Sequence, residues 1–476
     1  MDNEILEVLK RFDYIFSNSK FVRPNSAFIA LKGNNFDGHD FIKEAYEKGA
    51  RLFLISDKSK WPKNLRAKYF VLPEKKLKSL YFDICHFVYK TREIFKNVKV
   101  IGITGTNGKT TTSFSLYYIL KDFEKVGLIG TEEYILDKEH IPSFRTTPPL
   151  DYLLFLFKKA YEKNIKYIIM EVSSHALDQK RVYKIPFYIS AFTNLSQDHL
   201  DYHKTLENYF ISKLKIFFQT QKYGLINPYN FYSDLIKNFE KIYPCKILKL
   251  PLYKDKKILK IDKDIIKLNT NLIGDYNLEN VAFAAFMAYL LKVDKDIIEE
   301  KIKNLKIPGR LEKVYKNIFI DYAHTPEGLK KVVLTLKNSF ENRKILVLFG
   351  AGGNRDKYKR PMMLKEIKNL ADKIILTMDN PRNEDDILIL LDILEAEGHL
   401  TSAEKNKIYN TLKNKGIYEY SSKITLVRFR DKAIKYAIKS FKDYIILLAG
   451  KGNENYIEIQ GKRYSFSDKK EVLKWL

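Results

Sequence analysis

Cysteine is almost absent from this chain of 476 residues, which holds only Cys85 and Cys245. Neither sits in a CxxC or other metal-type spacing. A disulfide scaffold is therefore excluded, and a reducing compartment fits. Long hydrophobic runs are lacking too. The longest, Val281 to Leu291, falls far short of the roughly 20 residues a membrane span requires and reads as a buried helix. The opening residues from Met1 to Val8 have no basic segment followed by an apolar one, so they do not read as a secretory signal. These absences predict a soluble, cytoplasmic protein with no membrane partner. Internal repeats and low-complexity tracts are also missing.

What is present is globular. Apolar residues make up 45% and charged residues 30%, which rules out a disordered or collagen-like chain. At roughly 150 residues per domain the length suggests about three domains. Lys and Arg number 84 against 58 Asp and Glu, a net charge of +26. A basic P-loop protein that binds nucleic acid is one reading of this excess. The lysines are scattered, however, with no basic stripe interleaved with aromatics and no helicase-type motif. The chain is also rich in Ile, Phe, Tyr and Asn, as an AT-biased coding sequence would make it. The positive field still favours anionic substrates such as nucleotides and carboxylates.

Order along the chain predicts an α/β fold. Residues 1–96 alternate short β-like runs (Ser26–Leu31, Arg51–Ser56, Tyr69–Leu72) with helix-like segments such as Phe41–Lys48. From 97 to 307 the pattern lengthens, with apolar runs at Val98–Thr104, Val126–Gly130, Lys166–Glu171, Tyr188–Asn194 and Tyr223–Asn227. Such continuous runs alternating with helices predict a mostly parallel sheet covered on both faces. Pro308-Gly309-Arg310 marks a boundary, and a third α/β unit spans 308–476. Its strands at Ile318–Tyr322, Lys344–Phe349, Lys373–Met378 and Asp443–Ala449 each run into a polar or Gly-rich loop. Those loops are Ala323–Pro326, Ala351–Asp356, Asp379–Arg382 and Gly450–Glu454. Any one could be an ordinary surface loop. Four on successive strand ends point to a binding crevice.

Gly102-Ile103-Thr104-Gly105-Thr106-Asn107-Gly108-Lys109-Thr110-Thr111 follows a buried strand and opens a helix, Lys109 to Lys121. Glycines let the backbone approach, successive N–H groups face oxyanions, and the helix N-terminus adds positive potential. Lys109 suits β- and γ-phosphates, and the Thr110 hydroxyl suits Mg²⁺. The strict Walker spacing fails, because Ile103 stands where it requires glycine. The strand–turn–helix context carries the reading instead. Glu171 closes a buried strand, so its carboxylate is expected beside this loop as a hard oxygen ligand for Mg²⁺.

Several further segments occur in a fixed order: Glu171-Val172-Ser173-Ser174-His175, Asn194 to His199, Asn277 with Asn280, Gly309-Arg310, Asp321 to His324, and Asp379-Asn380-Pro381-Arg382. Together with Thr104–Thr111 they resemble the Mur ligases over about residues 17 to 456. The resemblance implies a UDP-sugar-binding N-terminal domain, a central P-loop-type ATPase domain and a Rossmann-like C-terminal domain. It also implies an ATP-dependent amide ligase of peptidoglycan precursor synthesis that works through an acyl phosphate. Gly105, Thr106, Asn107, Gly108, Lys109, Thr110, Thr111, Asn194, Asn277, Arg310 and Asp321 correspond to ATP contacts. His199 corresponds to a residue near a second Mg²⁺. Lys213 corresponds to a lysine carbamylated by CO₂, a modification that turns an ammonium into a metal ligand. Lys109, Glu171, His199 and Lys213 thus form the implied catalytic set. The zinc reading of Asp198-His199-Leu200-Asp201-Tyr202-His203 has no cysteine support.

On the substrate side, Ser19 matches a UDP-binding position, while Asn18 and Lys20 depart from the usual Asp and Arg. Gly33 and Asp37-Gly38-His39 fit the same region. Thr146, Thr147, Ser173, Gln179 and Arg181 correspond to residues that hold UDP-N-acetylmuramoyl-L-Ala-D-Glu. Asp379-Asn380-Pro381-Arg382 resembles the signature of members that add meso-diaminopimelate. That acceptor has two carboxylates and two ammonium groups. Arg355 and Arg382 would hold its distal carboxylate, and Glu454 and the Gly450 carbonyl its distal ammonium. A lysine-adding member would use two arginines there poorly. Folylpolyglutamate synthase shares the ATP chemistry but lacks a unit like residues 1–96. Asn453 replaces a more usual His, and Ile387–Ser422 reads as an insertion. A monomer is the expected state.

Overall fold

The computed structural model describes residues 3–33, 36–229, 231–253 and 257–476; Met1 and Asp2, part of the N-terminal segment read above, lie outside them. Three large sheets succeed one another along the chain. The first holds β1 (Tyr14–Phe16), β2 (Ser26–Ile29), β3 (Ala50–Ile55) and β4 (Lys68–Val71), all parallel and in that order. β2 is buried along its whole length, as a strand covered on both faces must be.

The central sheet has eight strands: β5 (Lys99–Thr104), β6 (Val126–Ile129), β7 (Glu133–Leu136), β8 (Glu139–Pro142), β9 (Tyr167–Glu171), β10 (Phe187–Phe192), β11 (Thr220–Ile226) and β12 (Lys246–Lys249). Their order is β12-β11-β10-β5-β9-β6-β7-β8, with β7 and β8 added antiparallel at one edge. The apolar runs mark five of the parallel strands, β5, β6, β9, β10 and β11, and miss the parallel edge strand β12, which is only partly buried. They also miss the edge hairpin, because β8 alternates half-buried and exposed residues and carries no continuous apolar signal. A small hairpin, β13 (Ile258–Ile261) with β14 (Asp264–Lys267), lies apart from it. Helices Lys109–Leu120 and Asp275–Leu290 pack against each other over this sheet. The second starts two residues before the expected Asn277, so Asn277 lies in its first turn.

The third sheet runs β15-β16-β21-β17-β18-β20-β19, built from β15 (Glu312–Tyr315), β16 (Ile318–Asp321), β17 (Ile345–Phe349), β18 (Lys373–Leu376), β19 (Ile417–Glu419), β20 (Ile424–Val427) and β21 (Ile445–Ala449). β15 and β19 pair antiparallel at its two edges. A terminal hairpin pairs β22 (Tyr456–Ile459) with β23 (Lys462–Ser465). The stretch read as an insertion is folded structure: helix Asp386–Leu394, helix Ser402–Lys415 and β19. Its second helix starts on a Thr401–Glu404 capping box and stops at Gly416, whose φ of 75° ends helices readily. Among the described residues no helix is long and apolar enough to cross a membrane.

Candidate active site

The carboxyl ends of the central and third sheets face one cavity of about 410 Å³. The phosphate loop, Asn194, His199, Arg310, Asp321 and the four loops of the third sheet all border it.

The phosphate loop is fastened from behind. The Asn194 side chain accepts from the Asn107 N–H at 2.9 Å and donates to the Asn107 carbonyl at 3.0 Å. The Thr106 N–H donates to the Asn194 carbonyl at 2.9 Å. Gly108 has φ 88°, and a Cβ there would lie 2.2 Å from Asn280 Oδ1. Only glycine meets both conditions. Lys109 Nζ folds back onto the Gly105 and Thr106 carbonyls, each at 2.9 Å. Burial lowers its proton affinity, and Glu171 and Asp198 oppose that.

Glu171 stands at the end of β9 as expected, with no exposed surface. Its carboxylate accepts from the Thr110 hydroxyl at 3.1 Å and from the N–H and hydroxyl of Thr131, both at 3.0 Å. Arg310 reaches across from the start of the third unit and donates to Thr110 Oγ1 at 3.0 Å. Its guanidinium stacks on the Tyr322 ring at 4.6 Å. Asp321 borders the cavity, but Leu311 N–H and Ala323 N–H each donate to it at 2.7 Å. The carboxylate therefore shapes the turn that presents Arg310. Asn277 donates to the Ile273 carbonyl at 2.8 Å, while its buried Oδ1 has no partner and awaits a donor.

His199 caps a short helix at φ 54°, and its ring lies 3.4 Å from Asp198. Burial lowers its pKa against the pull of Asp198, so it is a neutral imidazole near neutral pH. Lys213 lies beneath the cavity rather than on its wall. It is buried, sits over the Tyr209 ring at 4.4 Å and donates to the Gly105 carbonyl at 2.8 Å. Burial, then repulsion from Lys109, pushes its pKa well down. Lys215 points outward to Asp178 at 2.8 Å. Helix Leu206–Leu214 thus sends the two lysines to opposite environments.

Thr146 and Ser173 also border the cavity. Thr147 is buried behind them, donating to the Glu171 carbonyl at 2.9 Å. Arg181 donates to the Thr147 carbonyl at 3.0 Å and to Gln179 Oε1 at 3.1 Å. Ser19 lies away from the cavity and donates to Glu44 at 2.8 Å. His39 receives the Ser56 and Asp57 N–H groups on Nε2 at 3.0 and 3.2 Å and faces Asp37 through Nδ1 at 2.6 Å. That pattern fixes its proton on Nδ1 and makes it a fastening of the first unit.

In the third unit Arg355, Asp379, Asn380, Arg382, Gly450 and Glu454 all border the same cavity. A Cβ on Gly352 would lie 2.8 Å from Arg382 Nη1 and 3.6 Å from Arg355 Cγ, so the two arginines flank one glycine. Glu454 accepts from Asn380 and from Lys451 Nζ, both at 2.9 Å. Lys451 has no exposed surface and also reaches Asp379 at 3.3 Å. Burial pushes the Asp379 carboxyl up, yet Lys451 and Arg430 outweigh it and hold the pKa low. Lys451 is a residue that sequence reasoning left without a role. Its only signal was its place inside Gly450-Lys451-Gly452. Glu132, just past β6, was missed as well; Asn453 hydrogen-bonds it, and burial pushes its pKa to about 7 against the pull of Arg310.

Three family profiles match the chain in order: "Mur ligase family, catalytic domain" over residues 11–89, "Mur ligase middle domain" over 103–288 and "Mur ligase, glutamate ligase domain" over 309–452. A UDP-N-acetylmuramoyl-L-alanyl-D-glutamate–2,6-diaminopimelate ligase of Aquifex aeolicus is 39% identical, with 98% of this chain and 94% of the relative covered. The chain belongs to the Mur ligase family. A second diaminopimelate ligase, from Fusobacterium nucleatum, is 34% identical over 97% of this chain and 93% of its own. A solved diaminopimelate ligase structure matches this Mur ligase with a TM-score of 0.60 and 26% identity, covering 98% and 94% of the two chains. The Mur ligase MurF of Thermotoga maritima, solved with ADP, shares the fold at a TM-score of 0.59 and 19% identity over 98% and 97%.

Proposed function

We propose that this Mur ligase joins meso-2,6-diaminopimelate to UDP-N-acetylmuramoyl-L-Ala-D-Glu with ATP, making a peptidoglycan precursor in the cytoplasm. The observation that carries this reading is that Arg355, Arg382 and Glu454 border the cavity that the phosphate loop also borders, the two arginines flanking Gly352. One crevice then offers two cations for a distal carboxylate and an anion for the neighbouring ammonium. We further propose that residues 1–96, 97–307 and 308–476 act as UDP-sugar, ATP and acceptor domains of a monomer, with Ser19 in the first of them.

The residues fit ATP. Thr106 to Thr111 cradle the phosphates, Lys109 swings from its backbone partners to the γ-phosphate, and the open Asn277 Oδ1 receives the adenine amino group. They fit Mg²⁺ too, since Thr110 and Glu171 converge as hard oxygen donors, with His199 across the cavity. Held by Thr110 and Glu171, such an ion would supply positive charge to the phosphate groups. Arg310 brings a second cation from the third unit, so nucleotide binding and closure are coupled and water is excluded from the acyl phosphate. Lys213, whose proton affinity burial and Lys109 lower, would add through its free amine to CO₂, giving a carbamate and releasing a proton, and so supply a further anion behind the loop.

Thr146 and Ser173 on the cavity wall hold the D-Glu end, backed by Thr147, with Gln179 and Arg181 completing that side. Its carboxylate oxygen bonds to the γ-phosphorus as ADP departs. The acceptor ammonium gives one proton to solvent, its nitrogen attacks the acyl carbon, and phosphate leaves with the C–O bond pair as the nitrogen gives up a second proton. Fixed dipoles and cations supply most of the rate at such a centre. The test offers ATP, Mg²⁺ and the UDP-linked dipeptide with meso-diaminopimelate, lysine, ornithine or lanthionine, and reads phosphate release and product mass. Diaminopimelate is expected to win; preference for lysine overturns the acceptor assignment.

A further inference from the structure

Behind the acceptor crevice lies an ion cluster centred on one buried guanidinium. Arg360, on helix Lys359–Ile367, has no exposed surface. Its guanidinium meets Glu384 twice, through Nη1 and Nη2, each at 3.0 Å. It also donates to Asp392 at 2.7 Å and to the Gly352 carbonyl at 3.2 Å. Glu384 in turn accepts from the Asn354 N–H and pairs with Lys357 at 3.3 Å.

These contacts join the two loops that carry the crevice arginines. Arg355 follows Gly352 and Asn354; Arg382 precedes Glu384. Three direct links run parallel to the cluster: Gly353 N–H to the Asn380 carbonyl at 2.9 Å, Asn383 N–H to Asn354 Oδ1 at 3.0 Å, and Arg382 Nη1 to the Gly353 carbonyl at 2.8 Å. Arg382 itself has φ 53°, a strained backbone for a residue with a side chain. A Cβ on Gly353 would lie 1.9 Å from the Pro381 carbonyl, so the two loop backbones come into direct contact there. Asp392 comes from helix Asp386–Leu394, in the stretch that read as an insertion. Arg428 grips the start of that helix through Asp386 at 2.8 and 3.0 Å.

We propose that Arg360, clamped by Glu384 and Asp392, is a positioning residue that sets the separation of Arg355 and Arg382 and so selects an acceptor with a distal carboxylate. This rests on the acceptor reading above. A buried guanidinium with two carboxylate partners holds geometry through paired, directional bonds. Lysine cannot bridge the same three acceptors, because it lacks the planar fork. Through Asp392 the folded stretch after residue 385 buttresses the specificity pocket from outside.

The experiment measures KM and kcat for ATP, the UDP-linked dipeptide, meso-diaminopimelate and lysine in the full-length wild type and in Arg360→Lys, Glu384→Gln and Asp392→Asn. The expected result is a KM for diaminopimelate raised about tenfold in the first two variants and about twofold in the third, since each loses part of a charge-assisted pair. KM for ATP and for lysine stays near the wild-type value, so the preference for diaminopimelate over lysine shrinks. An equal loss toward every substrate, or an unchanged diaminopimelate KM, overturns the proposal. If Arg360→Lys fails to fold, Glu384→Gln and Asp392→Asn decide, the latter altering a carboxylate that is 36% exposed. A wild type that prefers lysine defeats the acceptor assignment itself. A diaminopimelate-preferring wild type with unaltered variants defeats only the clamp.

Discussion

The phosphate loop and the acceptor crevice border the same cavity, yet they are held in different ways. The loop is one continuous segment, Gly105 to Thr111, between β5 and its helix. Its shape comes from backbone conformation and from hydrogen bonds along its back, chiefly Asn194 on both sides of the Asn107 peptide, with Thr193 on the Asn107 carbonyl and Lys213 on the Gly105 carbonyl. The crevice is assembled from four loops far apart in sequence. Buried charges hold it: Lys451 between Asp379 and Glu454, Arg360 between Glu384 and Asp392, Arg430 on Asp468 at 2.6 Å. A phosphate looks alike in every nucleotide, so a local cradle suffices for it. An acceptor must be told apart from near relatives, and that requires charges at set separations.

Substitution should separate the two regions. Lys109→Ala removes the cation we propose for the transferred phosphoryl group and is expected to lower kcat by about 10³-fold, read as phosphate release. Lys213→Ala should cost about 10²-fold if a carbamate supports the metal, with partial recovery on adding a short carboxylate. If wild-type activity ignores dissolved CO₂ and the variant is not rescued, the carbamate is ruled out. Arg382→Ala belongs to the other region. It should raise the diaminopimelate KM by about 10²-fold and leave the ATP KM alone, since on the proposed reading it contacts the acceptor and not the nucleotide. Equal effects on both substrates would erase the contrast between the regions. Asn194→Ala loosens the loop from behind and should raise the ATP KM about tenfold without touching the acceptor KM.

The smallest effect is on stability. Arg360 holds the Glu384 carboxyl at about 2, below its ordinary 4.5. A depressed carboxyl stabilises the fold at pH above its ordinary value. That contribution fades as pH falls from about 4.5 toward about 2. Glu384→Gln should flatten this acid limb in a series of urea midpoints against pH. An unchanged limb would place the cluster's contribution elsewhere.

Much of the site was legible because it lies in short runs with local physics. Glu171 falls at the end of its apolar strand, and Thr110 and Lys109 open their helix. The four strand-end loops do converge. The β7–β8 hairpin was not legible, because an exposed edge strand leaves no apolar run. Nor was the structural use of Asp321 and His39, whose side chains accept from backbone N–H groups distant in sequence, Leu311 for Asp321 and Ser56 and Asp57 for His39. Lys213 and Lys215 are the same residue type two positions apart. Only packing against Gly105 and Tyr209 tells the buried one from the exposed one.

By itself the amino-acid order determined the α/β alternation, the phosphate cradle and the polar loops at the strand ends, because each depends on residues close together in the chain. Tertiary structure alone decided which charges meet. Lys451 with Glu454, Arg360 with Glu384 and Asp392, and Arg310 with Thr110 are chosen by where separate elements pack. Once buried, a charge can be tolerated only beside the partner that the fold delivers.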